Sequence, residues 1–382
     1  MTVLPTEGLS ARIAARLKQA REDIGLTLAQ ASKGMGFENY QVLMNIEKGE
    51  RAVKALELVD FARLYARQLD FFLSSAEPSP APAVIWRSRG IDPVARRVER
   101  EFLGYCEEYG RLETFADGAP TTLKLKSGAV SGFDDAVLLG ENITRQLELG
   151  SHPAKALASV LEENGVKLMV RESKFAGSAA STVGDFGAGV FLNSSNAPWR
   201  ISYDLAHELF HLLTWGQFPA ETPDESAGEK PMAEKLADAF ASALLLPEAT
   251  VIKEYRARTK GGDLGYVDCV NMARDFGVST QALIWRLISL RLVTRESGTK
   301  AIESESLKEL DRSARQQDRK RAVIEWPTPR FIATAFKCLQ LGRLSRGRFA
   351  ELMEIERGEI DGFLAQRGYN AWEDYSGEIS TA

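Results

Sequence analysis

Residues 202–214 read Ser-Tyr-Asp-Leu-Ala-His-Glu-Leu-Phe-His-Leu-Leu-Thr and contain a His-Glu-x-x-His motif that starts at His207 and ends at His211. On a helix, side chains four positions apart lie on one face, roughly 5–6 Å apart at Cβ, so both imidazoles can bind one metal ion. Such a short motif also arises by chance on solvated helices. The apolar residues around it, however, predict a buried helix, where an unpartnered His-Glu-His group would be costly. The stretch therefore predicts a zinc site with Glu208 beside it.

A catalytic zinc ion takes three protein ligands and leaves a fourth position for water. Of the three histidines in the chain, the remaining one, His152, lies far upstream of the motif. A carboxylate is the better third ligand, and Glu234 opens a second helical stretch beyond the polar loop 215–231. Asp238 follows one turn later on the same face, where it can accept a hydrogen bond from a ligating imidazole. Glu208 is then the general base that takes a proton from the attacking water.

Several segments resemble the ImmA/IrrE family of zinc metallopeptidases. The principal ones are A-H-E-x-x-H-L-L at 206–213 and E-x-x-A-D-x-F-A-x-x-L-L-x-P at 234–247. The strand ending at Asn193, the Pro198 and Arg200 that follow it, and L-x-x-N-G-V at 161–166 are also similar. The resemblance covers about residues 150–250. It extends more loosely to a helix-turn-helix-like piece at 273–293, where Ser279 is a natural N-cap.

The resemblance implies that His207, His211 and Glu234 hold zinc and that Glu208 is the base. It also implies a transcriptional repressor or an antitoxin-like protein as the substrate, cleaved to switch gene expression after stress. One departure is Phe210, where the family often has glycine; it adds bulk but leaves every ligand in place. Two further residues are candidates for holding an oxyanion or substrate, or else for packing and pairing only: Tyr203 and Arg200.

Residues 25–51 resemble an XRE/Cro-type helix-turn-helix, with Thr27 as the N-cap of its second helix. The helix that would enter the major groove has Leu43 and Ile46 toward the core. The residues expected to contact DNA bases or phosphates are Asn39, Tyr40, Gln41, Asn45, Lys48 and Arg51.

Two features weaken the expectation of DNA binding. Glu38 occupies the usual N-cap position and places a negative charge where phosphate would approach. The segment from Gly36 to Gly49 is also about one residue longer than the commonest pattern of such domains. A small helical domain used for protein–protein docking is therefore the alternative.

The periodicities predict an α+β protein that is mostly helical. Two strands, 166–170 and 188–193, precede the helix of the motif. We expect an N-terminal helix-turn-helix domain, a small-sheet zincin-like peptidase domain and a helical C-terminal region, with a proline-rich linker at 74–83. The predicted units are 1–73 for the helix-turn-helix domain, 84–150 for a helical connecting region, 151–250 for the metallopeptidase, 251–300 for a helix-turn-helix-like segment and 301–382 for the C-terminal helices.

Composition limits which cellular compartment and which binding partners we expect for the protein. The net charge of −5 provides no whole-chain attraction to nucleic acid or membrane, so any DNA contact must be local. The three cysteines are far apart and are expected to be reduced core thiols. Neither a signal peptide nor an apolar run of membrane-spanning length is apparent, which favours the cytoplasm.

Three functions follow. One is a toxin–antitoxin or defence component in which the two domains form one switch, and the other two come from different classes. The first is a zinc-dependent intracellular endopeptidase that its DNA-binding-type domain brings to a repressor or antitoxin-like partner. The second is a DNA-binding transcriptional regulator whose zinc pocket is a sensor or is catalytically silent. In either function a homodimer is one alternative for the oligomeric state, because helix-turn-helix proteins often act as dimers.

Overall fold

The computed structural model describes residues 6–75, 82–86, 93–125, 127–173, 177–218, 230–259, 262–316, 318 and 324–369. Within these ranges the chain is mostly helical and has a four-stranded mixed sheet, so the predicted α+β class is confirmed. Most of the proline-rich linker and of the polar loop lies outside the described residues, as does the C-terminal end of the chain from residue 370.

The N-terminal helices surround their own apolar core, which includes Leu17, Leu43, Ile46 and Phe61. Thr27 caps the second helix with a capping box, as the sequence predicts. These helices are α1 (Thr6–Asp23), α2 (Leu28–Gly34), α3 (Tyr40–Glu47), α4 (Ala55–Leu64) and α5 (Leu69–Leu73).

The sheet contains the two predicted strands and two that the sequence analysis missed. Its members are β1 (Val84–Trp86), β2 (Lys167–Arg171), β3 (Ala179–Gly184) and β4 (Gly187–Asn193). The strand order is β1-β3-β4-β2, with β2 parallel to β4 and the other two pairs antiparallel. Because β1 lies in the region predicted as a helical connection, that prediction is wrong for residues 84–86.

The described residues between 93 and 245 include five α-helices, three of them before β2 and two after β4. They are α6 (Pro93–Asp117), α7 (Phe133–Gln146), α8 (Leu157–Glu163), α9 (Pro198–Leu213) and α10 (Met232–Leu245). Those after α10 are α11 (Glu248–Thr259), α12 (Tyr266–Phe276), α13 (Thr280–Ser289), α14 (Arg295–Glu303), α15 (Glu305–Ala314), α16 (Pro329–Gln340), α17 (Arg346–Met353) and α18 (Ile360–Ala365).

The two faces of the sheet pack against different helices, since side chains alternate along a strand. Val190 and Leu192 of β4 share a buried cluster with Leu205 and Leu209 of α9. Phe191, between them, packs on the opposite face in the cluster that also contains residues of α6. The helix of the His-Glu-x-x-His motif is therefore fixed against one face of the sheet.

Helix α10 is fixed by close packing against α7. A Cβ atom added to Gly140 would lie 2.6 Å from the carbonyl oxygen of Phe240, which only a glycine allows. One turn later, the Thr144 hydroxyl donates to the carbonyl oxygen of Leu244 at 3.1 Å. Backbone-to-backbone proximity of this kind sets the position of α10 and of the residues it carries.

The hydrophobic cores cross the unit boundaries that the sequence suggests. One cluster runs from Val130 to Leu307 and therefore joins the predicted peptidase to the segment that follows residue 250. In that segment Gly277 ends α12 in the left-handed region. Ser279 caps α13, as predicted. A separate cluster joins α16–α18 to α6.

Two further expectations concern cysteines and membrane helices. Cys106, Cys269 and Cys338 are all buried and free, as predicted. Among the described residues, the helices are too short or too polar to span a bilayer.

Candidate metal centre

Three side chains from α9 and α10 converge on one point. The Nε2 atoms of His207 and His211 lie 3.3 Å apart. The carboxylate of Glu234 spans both, with Oε2 at 3.2 Å from His207 Nε2 and Oε1 at 3.0 Å from His211 Nε2. All three residues are buried, and one ligand atom from each lies within 4.8 Å of the others. Among the described residues they form a group that could hold a metal ion.

The donor set fits zinc. Two imidazole nitrogens and one carboxylate are a combination that catalytic zinc sites use, with a fourth position left for water. In the structure the two ring nitrogens and the carboxylate meet inside the protein, where a metal cation would take the place of the protons that these groups otherwise share. Burial raises the pKa of Glu234, but hydrogen bonds and Coulomb attraction from both histidines outweigh it and hold the pKa well below its usual value.

Asp238 lies behind His207, as the sequence suggests. Its Oδ1 is 2.9 Å from His207 Nδ1, so Nδ1 donates to the carboxylate and Nε2 is left for the metal. The second oxygen, Oδ2, accepts a hydrogen bond from Lys230, whose ammonium also lies 4.0 Å from Glu234 Oε2. The ammonium group of Lys230 is therefore fixed at the edge of the ligand cluster.

Glu208 is fully buried and is oriented by a residue that the sequence analysis did not identify. The hydroxyl of Ser181 donates to Glu208 Oε2 at 2.7 Å. Ser181 is on β3, and its side chain points toward α9 because Ala180 and Thr182 beside it face the other way. Nothing in the local sequence marks this serine, since the contact joins positions 27 residues apart.

The two oxyanion candidates are engaged elsewhere. The Tyr203 hydroxyl donates to the backbone carbonyl oxygen of Asp238 at 2.9 Å. Arg200 is half-exposed and lies 3.4 Å from the buried carboxylate of Asp204. Both contacts agree with the packing and pairing alternative from the sequence, and the oxyanion role stays a prediction.

Two other residues considered from the sequence lie outside the ligand group. His152 contacts Ser151 through Nδ1 at 2.9 Å and packs against Phe276, with 5.1 Å between the ring centroids. Phe210 is fully buried and packs against Phe240 and Phe218. The bulky side chain at this position thus contributes to the apolar core that supports the ligand helix.

The N-terminal helices correct the predicted cap of α3. Asn39 caps this helix, accepting hydrogen bonds from the backbone nitrogens of Gln41 and Val42 at 3.0 and 3.3 Å. Glu38 is therefore not the N-cap. Because the side-chain oxygen of Asn39 is used in the cap, it is less suited to contact a base than the sequence analysis supposed.

The other candidates for DNA contact differ in exposure. Tyr40, Gln41 and Lys48 are exposed, and Asn45 is half-buried. The guanidinium of Arg51 is held by Glu57, with N–H···O distances of 2.7 and 3.2 Å. An arginine paired in this way must give up its carboxylate partner before it can bind phosphate.

Comparison with known proteins finds a match for the middle of the chain. Residues 162–287 match the model of the peptidase family M78, described as an IrrE N-terminal-like domain. This segment contains β2–β4, both helices of the ligand cluster and the helices up to α13. The match indicates a metallopeptidase-type or regulatory role. No curated protein matches the chain.

Proposed function

We propose that this chain is a zinc-dependent endopeptidase with a DNA-binding-type N-terminal domain. The observation that carries the proposal is the buried convergence of His207, His211 and Glu234 beside Glu208. The family match of residues 162–287 supports the same activity. Asp238 holds the imidazole of His207 in the orientation that leaves Nε2 toward the ligand cluster.

The chain's own residues account for the proton transfers of peptide hydrolysis. A zinc ion held by the three ligands would polarise a substrate carbonyl and acidify a water molecule. Glu208 accepts the proton of the attacking water and passes it to the leaving amine. Ser181 keeps the Glu208 carboxylate in one orientation, and the buried surroundings exclude competing water.

The proposed substrate is a transcriptional repressor or an antitoxin-like protein, and its cleavage would switch gene expression under stress. The proposal takes this substrate from the family likeness and from the N-terminal helices, which would bring the peptidase to an operator or to a helix-turn-helix partner. A cytoplasmic location and a homodimer belong to the same proposal.

The test compares variants of Glu208 and Glu234 in one assay. Wild type should bind about one zinc per chain and cleave a helix-turn-helix repressor encoded beside its gene. Glu208→Gln should keep the zinc and lose cleavage, whereas Glu234→Ala should lose the zinc. Glu309→Gln, an exposed substitution on α15, serves as the control and should do neither. If the Glu208→Gln variant cleaves the repressor as fast as wild type does, Glu208 is not the base.

The second candidate is a DNA-binding regulator with a sensing or catalytically silent zinc pocket. It is favoured by the capped helices α2 and α3 and by the exposed side chains of Tyr40 and Gln41. A gel shift on the upstream region should then weaken as salt is raised. If regulation in cells is unchanged by Glu208→Gln, the second candidate replaces the first. No shift at low salt would favour protein docking by this domain.

A further inference from the structure

Strand β1 forms one edge of the sheet and pairs with β3. Without β1, β3 would be the edge strand, and β3 carries the Ser181 that holds Glu208. The ladder between them is short and antiparallel, with Val84 opposite Thr182, Ile85 opposite Ser181 and Trp86 opposite Ala180. A three-residue segment just after the proline-rich linker thus covers the backbone of the strand beside the proposed active site.

The register places one side chain of β1 on the catalytic face. Directly opposite residues of an antiparallel pair point to the same side of the sheet. Ile85 is opposite Ser181, and Ser181 reaches Glu208, so Ile85 faces the α9 side. Ile85 is 8% exposed, which means that this position is already filled by an apolar side chain.

The neighbouring residues of β1 hold it by contacts away from that site. Trp86 packs against Phe191 on the other face of the sheet, with ring centroids 5.7 Å apart, and donates to Glu99 of α6 at 2.7 Å. The Thr182 hydroxyl donates to the carbonyl oxygen of Ala83 at 2.8 Å. Trp86 therefore holds β1 in place more than the short, three-residue ladder does.

An exposed strand edge binds an extended peptide through main-chain hydrogen bonds, and pockets for alternate side chains supply the selectivity. Given the proposed peptidase function, on which this inference rests, we propose that β1 is an internal occupant of the peptide-binding edge. The substrate pairs with β3 in its place. It is an extended polypeptide segment, with an apolar residue at the position that Ile85 now fills.

This occupancy makes β1 a regulator of the site. A peptide reaches β3 only in molecules whose β1 has detached. Its apparent affinity is therefore its affinity for those molecules multiplied by the fraction of the protein that they make up. Since only the linker separates β1 from the N-terminal helices along the chain, a partner that pulls on those helices would raise that fraction.

The first experiment locks β1 in place. Opposite residues of an antiparallel pair have Cα atoms about 4.5–5.5 Å apart, which suits a disulfide. Val84→Cys combined with Thr182→Cys, in a Glu208→Gln and Cys106→Ala background, should form one; Cys106 is replaced because its sulfur lies beside Thr182 above Gly189. The probe is a fluorescein-labelled synthetic peptide of residues 82–88, followed by anisotropy. The oxidised chain should not bind it, and the same chain after reduction should bind.

The second experiment releases β1. Trp86→Ala in the same background removes the anchor and should tighten binding of the probe by at least about tenfold, because the detached fraction rises. Leu103→Ala is the matched control: it weakens the same buried cluster from α6 without touching the ladder, and should leave the affinity unchanged. A probe in which Asp replaces the residue corresponding to Ile85 should bind neither the Trp86→Ala chain nor the Leu103→Ala control.

The outcomes separate this inference from the proposed function. Equal binding by the oxidised and reduced chains, or by Trp86→Ala and the control, would overturn the occupancy of the edge by β1. Both measurements use binding alone, so they stand even if no variant hydrolyses a peptide. Conversely, suppose that wild type cleaves a peptide and that Trp86→Ala, with Glu208 intact, cleaves it no faster. That result would contradict the regulatory role of β1 and leave the proposed peptidase activity standing.

Discussion

Removing the carboxylate of Asp238 should weaken zinc binding without removing a ligand. Its Oδ1 accepts the Nδ1 proton of His207 at 2.9 Å, which fixes both the tautomer and the ring orientation of that ligand. In Asp238→Ala the imidazole can rotate and can carry its proton on the nitrogen that the metal needs. The effect should therefore appear in metal affinity before it appears in any other property.

The magnitude follows from the surroundings of Asp238. Loss of such an outer hydrogen bond typically reduces metal affinity by about 10–100-fold, or roughly 1.4–2.8 kcal/mol. The Asp238 side chain is 35% exposed and its other oxygen is paired with Lys230, so part of its charge is already compensated. We therefore expect a loss of about tenfold for Asp238→Ala. Asp238→Asn retains an acceptor oxygen and should lose less.

The assay is competition for zinc against a chromophoric chelator, with the dissociation constant as the readout. Asp361→Ala is the control, because this exposed aspartate pairs with Arg346 on the distant C-terminal helices. Its affinity should equal that of wild type. A dissociation constant for Asp238→Ala within about twofold of wild type would refute the reasoning, since an oriented imidazole is worth more than that.

Three further predictions concern stability and DNA binding. Glu113→Ala leaves the fully buried Lys167 without the carboxylate 2.9 Å away and should lower the free energy of unfolding by about 3–5 kcal/mol, measured in urea; a loss below about 1 kcal/mol would contradict this. Burial raises the pKa of Glu162 to about 7, so folding favours its protonated form and stability should fall as pH rises from 4.5 to about 7. Glu162→Gln should abolish that fall, and an unchanged pH profile of thermal unfolding would rule the assignment out. Glu57→Gln frees Arg51 and should tighten low-salt DNA binding severalfold by anisotropy; equal affinity would mean that Arg51 does not contact phosphate.

The sequence predicted the parts of the fold that have strong periodicity. The helix of His207 and the strand ending at Asn193 both emerged correctly, because a long apolar face or an apolar run dominates each segment. Strand β3 was missed since Ala-Ala-Ser-Thr-Val-Gly is small and weakly apolar. Its burial comes from the helices on either side, which no local window contains. Strand β1 has only three residues and follows a proline-rich stretch that favours a linker.

The ligand cluster was easier to predict than its surroundings. Helical spacing relates His207 to His211, and the spacing of Glu234 and Asp238 follows the same rule one helix later. Ser181 could not be predicted, because its contact with Glu208 depends on how β3 lies against α9. The cap of α3 was misplaced by one residue, since Glu38 and Asn39 are both polar and only the backbone distinguishes them.

The absence of a side chain at Gly140 determines where the third ligand of the cluster lies. Helices α7 and α10 approach each other closely at this point, because a Cβ on Gly140 would lie 2.6 Å from the carbonyl oxygen of Phe240. Even a methyl group there would act as a wedge and move Glu234 away from the two histidines. The geometry of the metal centre is therefore sensitive to mutation at a position that has no chemistry of its own.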